Sequence, residues 1–206
     1  MSPSVSAVIA LALLTVFGLL GFGWRAWLQH RRTGSTGIRG TRGRIGPVER
    51  VAGAGFAAAL TVTVLGAALQ LAAVMTPLNV LRAGWIHIAG IVLAMLGIAL
   101  TVWAQLDMGD SWRIGVDADE TTELVQGRVF GWVRNPIYSA MLVFEFGLAL
   151  VTPNAVTFAG SILAIGALQA QVRRVEEPYL LAKHGAAYRD YTRRVGRFIP
   201  GIGLIP

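Results

Sequence analysis

Five apolar runs constrain this chain more than any other feature. They cover residues 4–24, 51–75, 85–105, 136–151 and 155–172, and between them hold one Asp, Glu, Lys or Arg, which is Glu145. A helix needs about 20 apolar residues to cross the hydrocarbon core, and within a span every backbone polar group must be satisfied internally. The first three runs are long enough on their own. The last two are short and separated only by Thr152-Pro153-Asn154, a turn-forming tripeptide, so they read as a helical hairpin. Composition agrees: 54% of the residues are hydrophobic and 14% charged, against roughly 25% charged in soluble domains.

The basic residues set the expected topology. Seven Lys or Arg lie in 25–50, three in 106–135 and seven in 172–206, all in alternate connections, and the eighteenth is Arg82. The positive-inside rule then places the N-terminus outside and those three segments in the cytoplasm. The net charge of +7 therefore reports topology and attraction to anionic headgroups, not nucleic-acid binding. No Lys or Arg precedes Arg25, so the first run reads as a permanent helix and not a cleaved signal. Arginine outnumbers lysine 17 to 1, which leans toward a bacterial cell membrane.

The expected fold is an all-α integral membrane protein forming a single domain over 1–206. It has five transmembrane helices, the last two as a hairpin, followed by a cytoplasmic C-terminal helical segment. Residues 106–135 and 173–206 are expected to gather on one face. The glycine- and arginine-rich segment 29–47 reads as a flexible basic connection. Gly90, Ala94, Gly97 and Thr101 share one face of the third helix and predict close helix packing. His87, with no His, Asp or Glu at i+3 or i+4, reads as a polar interfacial residue and not a metal ligand. There is no cysteine, which excludes disulfides, thiolate metal sites and a cysteine nucleophile.

Polar side chains gather in two places. Pro136 suits the first turn of a helix, which puts Arg134 and Asn135 at its mouth beside free backbone donors. Tyr138, Met141, Leu142 and Glu145 follow as one stripe. A carboxyl inside a span must pair, protonate or face a polar cavity, so Glu145 reads either as a functional group or as a buried structural one. The second cluster is Glu176-Glu177, then Pro178, which should kink or end the helix, then Tyr188 and Tyr191. On its residues alone, this tail also suits an amphipathic helix lying on the membrane. The stretch holding Trp112 and Arg113, between Asp107 and Glu123, reads as an ordered loop over the helix ends, either a lid or an interfacial anchor made by Trp112.

The two clusters together resemble a known family. Arg134-Asn135-Pro136-x-Tyr138 is followed by Glu176-Glu177-x-x-Leu180-x-x-x-x-Gly185-x-x-Tyr188-x-x-Tyr191 and Val195-x-Arg197-x-Ile199-Pro200. This pattern is similar to the isoprenylcysteine carboxyl methyltransferases, within the broader phospholipid methyltransferases of membranes. Ser111-Trp112-Arg113-x-Gly115 is similar to bacterial members. The resemblance covers roughly residues 95–200, and Asn135 departs from it, since the family usually has histidine there. It implies an integral-membrane enzyme using S-adenosylmethionine, held near Arg134, Asn135, Tyr138, Glu176, Glu177, Tyr188 and Tyr191.

The acceptor implied is lipophilic, either a prenylated carboxylate or a lipid headgroup, with Trp112, Arg113 and Glu145 as substrate candidates. An amine or thiol acceptor must lose a proton, for which Glu145 or Tyr138 is placed; a carboxylate needs only a cation such as Arg134 or Arg113 to orient it. No metal is needed. Two other readings stay open: an NADPH-dependent membrane reductase of the sterol-reductase type, and a non-enzymatic lipid-binding protein. The oligomeric state is not legible.

Overall fold

A computed structural model describes residues 1–38, 47–114 and 123–205. Part of the basic connection (39–46) and part of the loop after the third helix (115–122, including Gly115 and Asp117) lie outside the described residues. The elements are α1 (Pro3–Thr33), α2 (Pro47–Leu71), α3 (Gly84–Met108), α4 (Pro136–Val151), α5 (Ala155–Gln171) and α6 (Glu177–Arg194). Among the described residues the only β pairing is in isolated bridges, such as Val133 with Gly196. Helices α1, α2 and α3, and the continuous run Ala155–Arg194, are long and apolar enough to cross a membrane, and Pro136–Val151 is a shorter apolar helix. Their outer faces carry exposed apolar side chains such as Leu19, Val92 and Ile162, as lipid contact requires. The expected all-α integral membrane fold is what the chain adopts.

The first helix does not stop at Trp24. It passes through a π-helical turn, Leu19–Trp24, and continues to Thr33, where Gly34 at φ +75° closes it with its amide donating to the His30 carbonyl. Arg25, the charge that ends the apolar run in sequence, is fully buried. Its guanidinium donates to the Gly109 carbonyl at 2.6 Å and to Gln29 Oε1 at 2.8 Å, and stacks 4.5 Å above the Trp112 ring. Partners about 80 residues away let the helix carry this charge onward. At the other junction, α5 does not end at Pro178. It runs through a second π-helical turn, Val172–Glu176, into α6, whose second residue is Pro178. The break comes later, at Gly185, with φ +51° and ψ −117°.

The two helices of the hairpin pack chiefly on other partners. Helix α4 lies on α3: a Cβ on Gly97 would come within 2.5 Å of the Phe144 amide, and one on Gly90 within 2.8 Å of the Gly147 carbonyl. The small-residue face Gly90–Ala94–Gly97–Thr101 therefore does bring two backbones together. Helix α5 lies on α2 in the same manner, with Gly66 against Thr157 and Gly160 against Thr63. Gly97→Val is expected to cost ~3 kcal/mol through overpacking, read as a lower melting temperature of the purified protein.

One end of the bundle is closed by structural polar groups. Asn154 caps α5, its Oδ1 accepting from the amides of Val156 and Thr157, while its Nδ2 donates to the Gly66 carbonyl and to Gln70 Oε1. His87 is buried and not interfacial as expected; its Nδ1 lies 3.1 Å from the Val151 carbonyl at the end of α4. An open carbonyl at a helix terminus explains the burial. The other end of the bundle holds the cavity.

Candidate active site

The C-terminal end of α3, the N-termini of α2 and α4, the end of α5 and helix α6 surround a cavity of about 450 Å³. That size suits a small-molecule ligand, for which sites run roughly 300–1,000 Å³. Of the residues singled out from sequence, Trp112, Arg113, Arg134, Asn135, Tyr138, Glu176, Tyr188 and Tyr191 border it; Glu177 and Glu145 do not.

Adjacent residues on a helix point about 100° apart, and this separates the two glutamates. Glu176 faces the cavity, where Tyr138 Oη donates to its Oε1 and Gln171 Nε2 donates to the same oxygen at 3.3 Å. Glu177 faces away. Its Oε1 accepts from Arg134 Nη2 at 2.9 Å and Arg197 Nε at 2.7 Å, and its Oε2 from Arg197 Nη2 at 3.0 Å. It is the centre of an ion-pair cluster that fastens the tail to the start of α4.

Arg134 and Asn135 take part in the same fastening. Arg134 Nη1 donates to the carbonyls of Thr192 and Val195, and Nη2 also to that of Gly203. The backbone amides of Arg134 and Asn135 donate to the carbonyls of Gly196 (2.8 Å) and Arg197 (3.1 Å). Asn135 Nδ2 donates to the Arg197 carbonyl as well, at 3.1 Å. Most donors of Arg134 and Asn135 are therefore committed to the strap over 195–205. Glycine is required at 196, because any Cβ there would run into the Ile199 carbonyl. What Arg134 keeps is Nε, buried and without a protein partner among the described residues.

The tyrosines of α6 form an aromatic wall. Tyr188 and Tyr191 are each 3% exposed, with ring centroids 6.2 Å apart. Tyr191 Oη donates to the Phe130 carbonyl at 2.6 Å, which fixes the short turn Arg128–Gly131 beneath the cavity. A phenol keeps its proton at neutral pH. Both tyrosines stay neutral and offer ring faces, not proton-accepting oxygens.

Trp112 is no interfacial anchor. It is 3% exposed, held between the Arg25 guanidinium and Gly37, where a Cβ would meet the ring at 2.9 Å. Arg113 lies over the Tyr179 ring at 5.7 Å. Residues 111–114 and 123–125 thus form a wall of the cavity. Glu145 sits elsewhere, between α2, α4 and α5, with Thr63 Oγ1 donating to its Oε2 at 3.0 Å and Ser161 Oγ donating to its backbone carbonyl at 3.4 Å.

Several site residues were not anticipated: Phe22, Gln105, Gln171 and the supporting pair Arg25–Gln29. Gln105 and Arg25 had a signal, as polar groups closing apolar runs. Gln171 had one as well, five residues before the acid it contacts.

Comparison with known proteins accords with this arrangement. The phospholipid methyltransferase family matches residues 85–187. The protein-S-isoprenylcysteine O-methyltransferase of Tribolium castaneum is 28% identical over 120 residues, covering 57% of this chain and 43% of that protein. Protein-S-isoprenylcysteine O-methyltransferase B of Arabidopsis thaliana is 27% identical over 118 residues, covering 56% and 60%. The chain thus spans about half the length of the curated relatives it matches. The solved structure of a eukaryotic intramembrane Ras methyltransferase, an isoprenylcysteine carboxyl methyltransferase, aligns with a TM-score of 0.68 at 20% identity, over 99% of this chain and 70% of that one. The two share a fold. The matched half of the chain, residues 85–187, carries most of the cavity wall, and the chain belongs to the phospholipid methyltransferase family.

Proposed function

We propose that this protein is a membrane-embedded methyltransferase that moves a methyl group from S-adenosylmethionine to a lipophilic acceptor of the isoprenylcysteine-carboxylate type. The observation that carries the reading is the composition of the cavity. A carboxylate held by Tyr138 and Gln171, a buried arginine and two neutral tyrosines meet at one end of a bundle of apolar helices. These groups fit the donor. Glu176 suits its ribose hydroxyls or ammonium, Arg134 Nε suits its carboxylate, and the faces of Tyr188 and Tyr191 suit its adenine or its cationic sulfur.

When bound, the donor supplies a methyl group already activated on a sulfonium. The chain's own task is then to bind, align and exclude water. Tyr138 and Gln171 fix the Glu176 carboxylate. Glu177, Arg134 and Arg197 hold the strap that closes the site over α4. Arg113 presents a cation to an acceptor carboxylate, which needs no base, while Phe22, Phe56 and Met141 receive the acceptor's apolar part. Glu145 stands outside this chemistry, away from the cavity. The reductase and lipid-binding readings gain no support from the relatives, all of which are methyltransferases by name.

The test is methyl transfer from radiolabelled S-adenosylmethionine to an S-prenylated N-acetylcysteine and to a total membrane lipid extract. Label recovered in a lipophilic product is the expected result, and no label in either would refute the reading. We further propose that the cavity end faces the cytoplasm of a bacterial cell, where the donor is made. The chain has no native cysteine, so Thr36→Cys and Val80→Cys, both exposed, report the two sides. A membrane-impermeant maleimide added to intact cells is expected to label position 80 and spare position 36.

A further inference from the structure

Beyond the first turn of α2, the cavity wall contributed by α1, α2 and α3 consists of Phe22, Ala52, Gly53, Phe56, Gln105 and Met108. Among these, Gln105 alone carries a side-chain nitrogen or oxygen. It is 1% exposed. Its amide nitrogen donates to the Gly21 carbonyl at 2.8 Å, inside the π-helical turn Leu19–Trp24 of α1. A carbonyl can only accept, so this contact fixes which end of the amide is which. The other end, Oε1, is buried and has no partner among the described residues. The surroundings are rigid as well: the Arg25 guanidinium reaches the Gln105 backbone carbonyl at 3.5 Å and that of Gly109 at 2.6 Å. A buried amide oxygen left without a donor is costly, and a ligand that brings one removes that cost.

We infer that Gln105 selects the methyl acceptor, its Oε1 accepting a hydrogen bond from an N–H or O–H on the polar head of the lipophilic molecule. The inference rests on the methyltransferase reading. The position of Gln105 ties it to the acceptor and not to the methyl donor. The surrounding wall is apolar and belongs to membrane-spanning helices, as a lipophilic ligand requires, whereas Glu176, Arg134 and the α6 tyrosines supply the polar groups the donor needs. A site built around a hydrogen bond discriminates strongly against analogues that lack the donor, because its own polar group is then stranded.

The experiment compares two probes, an S-prenylated N-acetylcysteine and its N-methylated analogue, which lacks the amide N–H. Both are assayed with the wild-type protein and with Gln105→Met, close in volume and without the oxygen. The wild type is expected to favour the N–H probe by ~10-fold in KM, the worth of one such hydrogen bond. Gln105→Met is expected to erase that preference and to bind S-adenosylhomocysteine within about twofold of wild type. Preserved binding of that product shows that the variant is folded.

A wild type indifferent to the N-methyl group, or a variant that keeps the preference, overturns the assignment of Gln105 while leaving the methyltransferase reading intact. So does a variant that loses S-adenosylhomocysteine affinity but retains discrimination between the probes, since Gln105 would then serve the donor. A wild type that methylates neither probe nor lipid extract overturns the enzyme reading and this inference with it.

Discussion

Glu176→Ala is expected to weaken binding of S-adenosylhomocysteine by about 100-fold, with little change in thermal stability. A hydrogen bond to a charged group is worth about 1.5–3 kcal/mol, and the upper end of that range corresponds to this factor. The folded state loses little, because what the substitution leaves behind are Tyr138 Oη and Gln171 Nε2, both beside a cavity that water fills when no ligand is bound. Calorimetric titration gives the affinity and a melting curve the stability. Equal loss of both would place Glu176 in the scaffold. Tyr138→Phe, which frees the carboxylate to move, is expected to show the same pattern at roughly a tenth of the effect, again a single hydrogen bond.

Glu177→Ala is expected to do the reverse. Removing its carboxylate leaves Arg134, whose side chain is 2% exposed, and Arg197, at 12%, without their shared anion. Deleting one partner of a buried ion pair costs about 3–5 kcal/mol, and here two cations are left facing each other without their carboxylate. The melting temperature should fall sharply, and the strap over 195–205 should exchange its amide hydrogens faster, including the Arg197 amide that donates to the Ile202 carbonyl. Arg134→Lys, with Glu177 intact, should keep only part of the fastening, because an ammonium cannot hold Glu177 and three backbone carbonyls as one planar guanidinium does. A Glu177→Ala protein as stable as the wild type, but unable to bind S-adenosylhomocysteine, would return this residue to the binding site. Two adjacent glutamates thus carry opposite predictions.

Sequence alone could not separate them. Position within an α-helix gives direction, but the π-helical turn at Val172–Glu176 shifts the phase just before the pair. A motif match therefore treats the two as one unit. The same limit applies at Arg134 and Asn135. Their residue types suit ligand binding, yet most of their donors go to carbonyls about 60 residues away, and that pairing leaves no local pattern. The hairpin was legible as two helices, α4 and α5, at nearly the expected bounds. Its partners were not, because glycines at 90, 97 and 147 announce close packing without saying against what. Arg25 ends the apolar run but not the helix. A charge at the end of an apolar run reads as the edge of the membrane, and only the carbonyl of Gly109 and the ring of Trp112 explain how the helix carries it further. What was legible was the class of the fold, the face on which the polar groups gather, and eight of the residues around the cavity.

The measurement that bears most directly on the central claim is a calorimetric titration of the purified wild-type protein with S-adenosylhomocysteine and, separately, with NADPH. The cavity of about 450 Å³, with Glu176 and the two buried tyrosines in its wall, predicts one saturable site for S-adenosylhomocysteine and none for NADPH. Saturable binding of NADPH with no response to S-adenosylhomocysteine would contradict it.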